Sequence, residues 1–225
     1  MGKIIAALVV LAVLGAILWG VYFYNAHKFT NTSWREKLTL TIETPSGEVT
    51  GAAVVEVTAR CGKPVMGNEV FYRVIGEATV VEVTLGRYLF VPLYKSGDRF
   101  YMVAQDRFKG LRRCDWLKLI PKQTDTITLT GAYRPRLLTF NDLNDSTSVK
   151  LVDPDDLATS FGAGVRLKSV ELTITTEPVT DGKVQALLGW LGPYPEPALL
   201  HEDGRTSDIP LAMQLHHGDF IQRPR

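Results

Sequence analysis

Five aspartates between residues 142 and 156 are the densest group of side chains in this chain that could do chemistry. Carboxylate oxygens suit a calcium ion, and paired carboxylates suit acid–base hydrolysis. The segment lacks the glycine and distal glutamate of a calcium loop, and such residues also hydrogen-bond their own backbone in turns. We therefore expect turn and cap residues, with an envelope hydrolase as the alternative function. The five are Asp142, Asp145, Asp153, Asp155 and Asp156.

The histidines give little support to catalysis, because all four lie outside the predicted folded stretch of residues 29–191. A Ser-His-Asp or Cys-His site needs a histidine in a packed environment, and zinc sites recruit histidine or several cysteines. Phe161–Gly164 begins like a dinucleotide-binding loop but enters a strand instead of opening a helix. The sequence predicts no catalytic, cofactor-binding or metal site and favours a protein that is not an enzyme. The histidines are His27, His201, His216 and His217.

Cys61 and Cys114 are the only two cysteines. In an oxidising compartment they can form a disulfide, whereas in the cytosol they would stay free thiols. Both flank segments that we predict to be loop or helix end, which can approach to the Cα spacing of about 5.5 Å that a bridge requires. The choice between bridge and thiols therefore depends on which side of a membrane the domain occupies.

One basic cluster carries two interleaved aromatic residues, Phe108 and Trp116. It suits either a solvated helix face or contact with an anionic lipid surface or an acidic envelope polymer. The net charge of +1 provides no global field for nucleic acid, so we expect no nucleic-acid partner. The basic residues are Arg107, Lys109, Arg112, Arg113 and Lys118.

An uncharged run of 21 residues, Ile4–Tyr24, precedes these features. A helix of that length spans roughly 30 Å, the thickness of a bilayer's hydrocarbon core. The run is longer than the apolar region of a signal peptide and leaves through bulky aromatic residues, although cleavage stays open as an alternative. We predict one N-terminal transmembrane helix that contacts the lipid bilayer as an uncleaved anchor.

Basic residues on both sides of the predicted anchor bear on its orientation in the membrane. Lys28, Arg35 and Lys37 favour a cytoplasmic domain by the positive-inside rule. The short basic N-terminal flank favours export, which we prefer. The predicted location is the inner membrane, single-pass, with a periplasmic domain.

Alternating apolar residues predict the strands that follow. Leu38–Val57 reads as a hairpin through Pro45-Ser46-Gly47, with a bulge or close backbone approach at Gly51. Residues 70–93 predict a meander of antiparallel strands, and residues 126–130 and 136–140 two short strands. Val165–Thr175 predicts a further strand with a bulge near Lys168-Ser169.

Helix signals are fewer. Residues 104–119 read as helical and close at Pro121, Asp153-Pro154 predicts a helix start that ends at Gly162, and Thr180-Asp181 predicts a last helix to about Leu191. The sequence thus predicts an α+β fold, predominantly antiparallel β with two or three short helices, preceded by the transmembrane helix. The domains are residues 1–28 (anchor and flank), 29–191 (β-rich) and 192–225 (a proline-containing, loosely ordered tail).

Three blocks together carry a resemblance: Leu38–Val57, Gly76–Phe90 and Leu137–Thr180. They resemble an uncharacterised family of α-proteobacterial proteins with a hydrophobic N-terminus and no assigned activity. The resemblance implies a bacterial envelope setting and nothing catalytic; the cysteines and the tail are not part of it. We accordingly expect a membrane-anchored envelope domain that acts by binding or assembly, on a protein or an envelope polymer.

Overall fold

The computed structural model describes residues 12–21, 29–65, 68–93, 99–191 and 210–224. Within these ranges, ten strands form two antiparallel sheets, one of six strands and one of four. The predicted α+β class, mostly antiparallel β, is confirmed. The strands are β1 Thr30–Thr44, β2 Gly47–Val65, β3 Asn68–Glu77, β4 Thr79–Thr84, β5 Arg87–Val91, β6 Thr126–Thr128, β7 Leu137–Phe140, β8 Val149–Val152, β9 Arg166–Thr175 and β10 Ile221–Gln222.

The strand order is β10-β3-β2-β1-β9-β6 in the larger sheet and β4-β5-β7-β8 in the smaller. The predicted hairpin is confirmed as β1–β2, with Leu38 opposite Ala53 and a turn that ends at Gly47. Alternation places Leu38, Leu40 and Ile42 inside, at most 3% exposed. These two long strands are the centre of the larger sheet.

Gly51 shows why the two sheets can touch. A Cβ atom there would lie 2.3 Å from the carbonyl oxygen of Val80, which is on β4 of the other sheet. Only glycine leaves room for that approach. The predicted close backbone approach is therefore confirmed.

The predicted bulge in β9 is confirmed as well. Thr41 pairs with Ser169 and Ile42 pairs with Leu167, so Lys168 is the extra residue. The shift in register lets Leu167, Val170 and Leu172 all contribute to one core despite their different sequence parity.

The predicted meander over residues 70–93 is wrong at one step. β3 belongs to the larger sheet and β4 to the smaller, so the chain changes sheet between Glu77 and Thr79. Alternation along a strand indicates which side chains are buried but not which strand is its partner. β4 and β5 do form the predicted hairpin.

Four short helices follow residue 29 in the described ranges: α2 Arg99–Arg107, α3 Arg113–Trp116, α4 Leu157–Phe161 and α5 Lys183–Leu187; α1 is residues 12–21. Pro121 lies inside a 3₁₀ turn, Leu117–Lys122, rather than closing a long helix. The N-cap of α4 is Asp156, not the predicted Asp153, because the Asp156 carboxylate accepts the Thr159 backbone N–H. α5 begins after Gly182, later than predicted, and Gly162 ends α4 as predicted.

The predicted anchor, Ile4–Tyr24, falls mostly outside the described residues, which include only its positions 12–21 as helix α1. The described residues contain no helix whose length and hydropathy suffice for a membrane span.

Two clusters of buried side chains hold the fold together. We call the larger one the disulfide-linked core: it includes Leu40, Val57, Cys61 and Leu172, together with residues of α2, α3 and α4. We call the smaller one the C-terminal core: Ala78, Phe90, Leu138, Phe140, Val149, Val184, Leu188, Leu191, Ala212, Leu215, Phe220 and Ile221.

The predicted loosely ordered tail does not describe residues 210–224. Phe220 is fully buried, Ile221 is 2% exposed, and β10 pairs with β3. The proline-rich stretch after Leu191 suggested that regular structure had ended, but the apolar residues beyond it return to the sheet edge. Residues 192–209 lie outside the described residues.

Candidate functional site

The five aspartates do not meet in a cleft. Each is exposed and fixed by local contacts. Asp142 accepts the Asn144 backbone N–H, Asp145 that of Thr147 and Asp153 that of Asp155, each at 2.9 Å. These are turn and cap bonds, as the sequence predicted.

The other two aspartates are also accounted for by their immediate neighbours. Asp155 binds both terminal nitrogens of Arg134, at 2.6 and 3.2 Å, and Asp156 caps α4. The Arg134 hydrogen bond lowers the pKa of Asp155, and the Thr159 hydroxyl lowers that of Asp156. A general acid in a hydrolase needs a raised pKa, so Asp155 and Asp156 do not suit that role.

His216 and His217 belong to the packed C-terminal segment rather than to a loose tail. The Asp219 carboxylate accepts the His216 backbone N–H, and the His216 side chain accepts in return, as in a capping box. Burial lowers the pKa of His217 and raises that of Asp219. No group of three or more histidine, cysteine or acidic residues placed to hold a metal occurs among the described residues.

Arginines line a cleft of about 340 Å³ between α2, residues 132–136 and the C-terminal segment. Arg134 is bound to Asp155, and Arg136 donates to the Gln214 amide oxygen at 3.4 Å. Arg136 and the buried Asp219 line the same cleft, and the Arg136 charge lowers the pKa of that carboxyl against the larger effect of burial. Each of these positive charges has a carboxylate close by, so the cleft suits a polar ligand better than a strongly anionic one.

Two buried carboxylates, Glu36 and Glu77, cap helices, and the sequence did not predict either role. Glu36, 1% exposed, accepts the Trp34 indole N–H at 2.9 Å and the first backbone N–H groups of α2. Glu77, also 1% exposed, accepts the first two N–H groups of α5. For Glu36 a signal existed: it shares the parity of the buried Trp34 and Leu38. For Glu77 none did, because its partner helix lies about 106 residues away.

Cys61 and Cys114 are joined by a disulfide with a Cα–Cα distance of 5.5 Å. The bond links the middle of the β2–β3 hairpin to helix α3, across 53 residues of sequence. It therefore fixes the basic cluster, which begins at the end of α2, to the larger sheet.

A row of aromatic rings holds the same region from the inside. Tyr101 lies 4.5 Å from Tyr72 and 4.9 Å from Trp116, measured between ring centroids, and Phe108 stacks on Trp116 at 6.5 Å. Trp116 is 4% exposed, whereas Phe108 is half-buried. The row thus runs from the disulfide-linked core out to the basic residues.

We call residues 107–113 the basic turn. Arg107 is bound to Asp125 at 2.6 Å and Arg112 to Asp115 at 2.8 Å. Within the described ranges, Lys109 and Arg113 have no ion-pair partner, and Leu111 between them is 52% exposed. The turn borders an open depression of about 360 Å³ that Phe108, Lys109, Leu111 and Arg113 line.

The arrangement places two uncompensated cations beside an exposed leucine, on a rigid base of rings and a disulfide. Its charges and its exposed apolar side chain suit contact with an anionic surface. Comparison with models of protein families, with curated proteins and with solved structures finds no match for this chain.

Proposed function

We propose that the protein is a membrane-anchored domain of the bacterial envelope, tethered through Ile4–Tyr24 in the inner membrane, and that it acts by binding or assembly rather than catalysis. The observation that carries the proposal is the Cys61–Cys114 disulfide. Disulfides persist in exported proteins and are rare in the cytosol, so the bond favours the periplasmic orientation. The uncharged N-terminal run and the family resemblance suit the same setting.

The arrangement of side chains fits a binding role. The acidic residues that could have served hydrolysis are used in turns, caps and one ion pair. What projects from the folded surface instead is the basic turn with its exposed leucine. Such a surface holds a partner by charge and apolar contact and leaves it chemically unchanged.

The test is fractionation of the full chain combined with thiol labelling. We expect the protein to stay with membranes through high-salt and carbonate washes, because a spanning helix resists both. Without reductant, neither cysteine should react with maleimide even after unfolding, and both should react after reduction. Full labelling of unfolded, unreduced protein, or release of intact chain by carbonate, would overturn the proposal.

A C-terminal fusion gives an independent reading of orientation. A reporter that is active only outside the cytosol should be active when fused after Arg225. A reporter active only in the cytosol should stay silent. The reverse pattern would place the domain on the cytoplasmic side and remove the reason for the disulfide.

A further inference from the structure

We propose that the basic turn lies on the surface of an anionic phospholipid bilayer beside the anchor, with Leu111 inserted among the headgroups and Lys109 and Arg113 at lipid phosphates. This inference rests on the proposed function, because the anchor brings the domain to the bilayer. It adds the partner that the folded domain itself contacts.

The disulfide holds the helix that follows the basic turn near the start of the domain. Phe29 packs against β2, where the Arg60 guanidinium lies 4.0 Å above its ring and Gly62 has its ideal Cβ position 2.4 Å from a ring carbon. Cys61, between those two residues, is bonded to Cys114. Helix α3 therefore lies beside the residues at which the chain enters the larger sheet.

The chain between the predicted anchor and Phe29 is short. If the anchor ends at Tyr24, residues 25–28 separate it from Phe29, and the five residue steps from Tyr24 to Phe29 span at most about 18 Å. The end of the larger sheet at Phe29 and Cys61 therefore lies near the bilayer, and so does Cys114 of α3, which is bonded to Cys61. The opposite end of the β1–β2 hairpin, at Pro45, cannot face it at the same time.

The charged and apolar side chains of the basic turn suit an anionic membrane surface. Two of the acidic residues near the turn are paired with cations, Asp125 with Arg107 and Asp115 with Arg112, and Asp106 accepts a hydrogen bond from the Tyr133 hydroxyl. Lys109 and Arg113 are left for an external anion, within the described part of the chain. Cations around an exposed apolar side chain are typical of segments that lie in the headgroup region of anionic membranes.

Leu111 distinguishes a lipid surface from a soluble acidic polymer. A polymer would engage the cations but gain little from a leucine that is 52% exposed beside a depression of about 360 Å³. A bilayer removes that side chain from water. The combination favours lipid.

The experiment measures amide hydrogen exchange of residues 107–113 in the full chain, reconstituted in nanodiscs. One set contains phosphatidylcholine with phosphatidylglycerol, the other phosphatidylcholine alone. We expect slower exchange in the anionic nanodiscs. In K109Q/R113Q the added protection should fall by about 25-fold, from roughly fivefold for each basic side chain, and L111S should also reduce it. K150Q/K183Q removes two exposed cations elsewhere and should leave the protection unchanged.

The outcomes separate the two proposals. Equal exchange in both nanodiscs, with the chain still resistant to carbonate, overturns this inference and leaves the anchor intact. Release of the chain by carbonate overturns the anchor; flotation of that chain with phosphatidylglycerol vesicles, lost in K109Q/R113Q, would then still support the surface. Protection by soluble polyphosphate in detergent, without protection by anionic nanodiscs, would assign the turn to a polymer and overturn the lipid assignment.

Discussion

The two cores of this molecule are closed by different means. The disulfide-linked core is built from long neighbouring strands and has a covalent bond at its edge, between Cys61 and Cys114. The C-terminal core gathers short segments spread from Ala78 to Ile221 and has no covalent link among its described residues. At its margin lie two buried carboxylates that hold backbone N–H groups, Glu77 and Asp219.

The difference implies different sensitivities. Reduction should loosen the first core, because the bond limits the freedom of the unfolded chain. Changes in pH should act on the second, because burial raises the pKa of both Glu77 and Asp219. The basic turn belongs to the first region, so its position should depend on redox conditions more than on pH.

The largest effect is expected at the centre of the disulfide-linked core. Leu172 is fully buried, and L172D would place an unpaired charge there. We expect no cooperative folding, as read by circular dichroism and thermal melting. T173D changes the neighbouring, partly exposed residue of the same strand and serves as the matched control. An unchanged melting temperature for L172D would contradict the assignment of this face of β9.

In the C-terminal core the corresponding residue is Phe220, which contacts the rings of Phe90, Phe140 and Trp190 at centroid distances of 5.9–6.4 Å. F220A should lower the free energy of unfolding by about 3–5 kcal/mol. Urea unfolding monitored by tryptophan fluorescence measures it. F71A, at a ring that is 42% exposed, should change stability by less than about 0.5 kcal/mol. A small effect of F220A would mean that residues 210–224 are not part of the cooperative unit.

Removing the disulfide tests the first region again, at smaller cost. C61A/C114A should lower the free energy of unfolding by about 2–4 kcal/mol, since the bond closes a long loop. Reductant should destabilise the parent chain by a similar amount and leave C61A/C114A unaffected. Destabilisation of the double variant by reductant would mean that the effect does not arise from this bond.

The sequence was informative where structure is local. Alternation predicted β1, β2 and the bulge near Lys168, the residues Pro45-Ser46-Gly47 predicted the turn, and Gly51 predicted the close approach. Each of these features follows from residues that are neighbours along the chain. The sequence also predicted turn and cap roles for the aspartates between residues 142 and 156, although the cap of α4 is Asp156 rather than Asp153 and Asp155 is paired with Arg134. The surface that we propose to bind lipid was visible in the sequence only as a basic cluster, since the link between α3 and the start of the domain is a disulfide across 53 residues.

The predictions that failed concern contacts between residues that are far apart in the sequence. The C-terminal core was missed because Phe220 and Ile221 follow a proline-rich stretch, and no periodic pattern marks a strand of two residues such as β10. β3 and β4 were predicted to lie in one sheet because alternation along a strand does not indicate which strand is its partner. The cap that Glu77 provides is also a long-range contact, because Glu77 and Lys183 are 106 residues apart in sequence.

The smallest expected effect is the pH dependence at Glu77, where the sign can be worked out. Burial raises the pKa of Glu77 above its ordinary value of 4.5, against the opposing hydrogen bonds from Val184 and Lys183. Between 4.5 and the raised value, the folded protein holds a proton that the unfolded chain has lost. The contribution of this group to stability is therefore greatest at low pH and falls as the pH rises through that window.

E77Q removes this titration, although the amide meets the two N–H groups less well and costs a constant amount of stability. The difference in free energy of unfolding between the parent chain and E77Q should therefore be largest below pH 4.5 and shrink as the pH rises, measured by urea unfolding at a series of pH values. E177Q, at an exposed carboxylate bound to Lys37, controls for the change in net charge. A difference independent of pH would show that Glu77 is not a proton-linked site, and the contrast between a redox-sensitive and a pH-sensitive core would then rest on Asp219 alone.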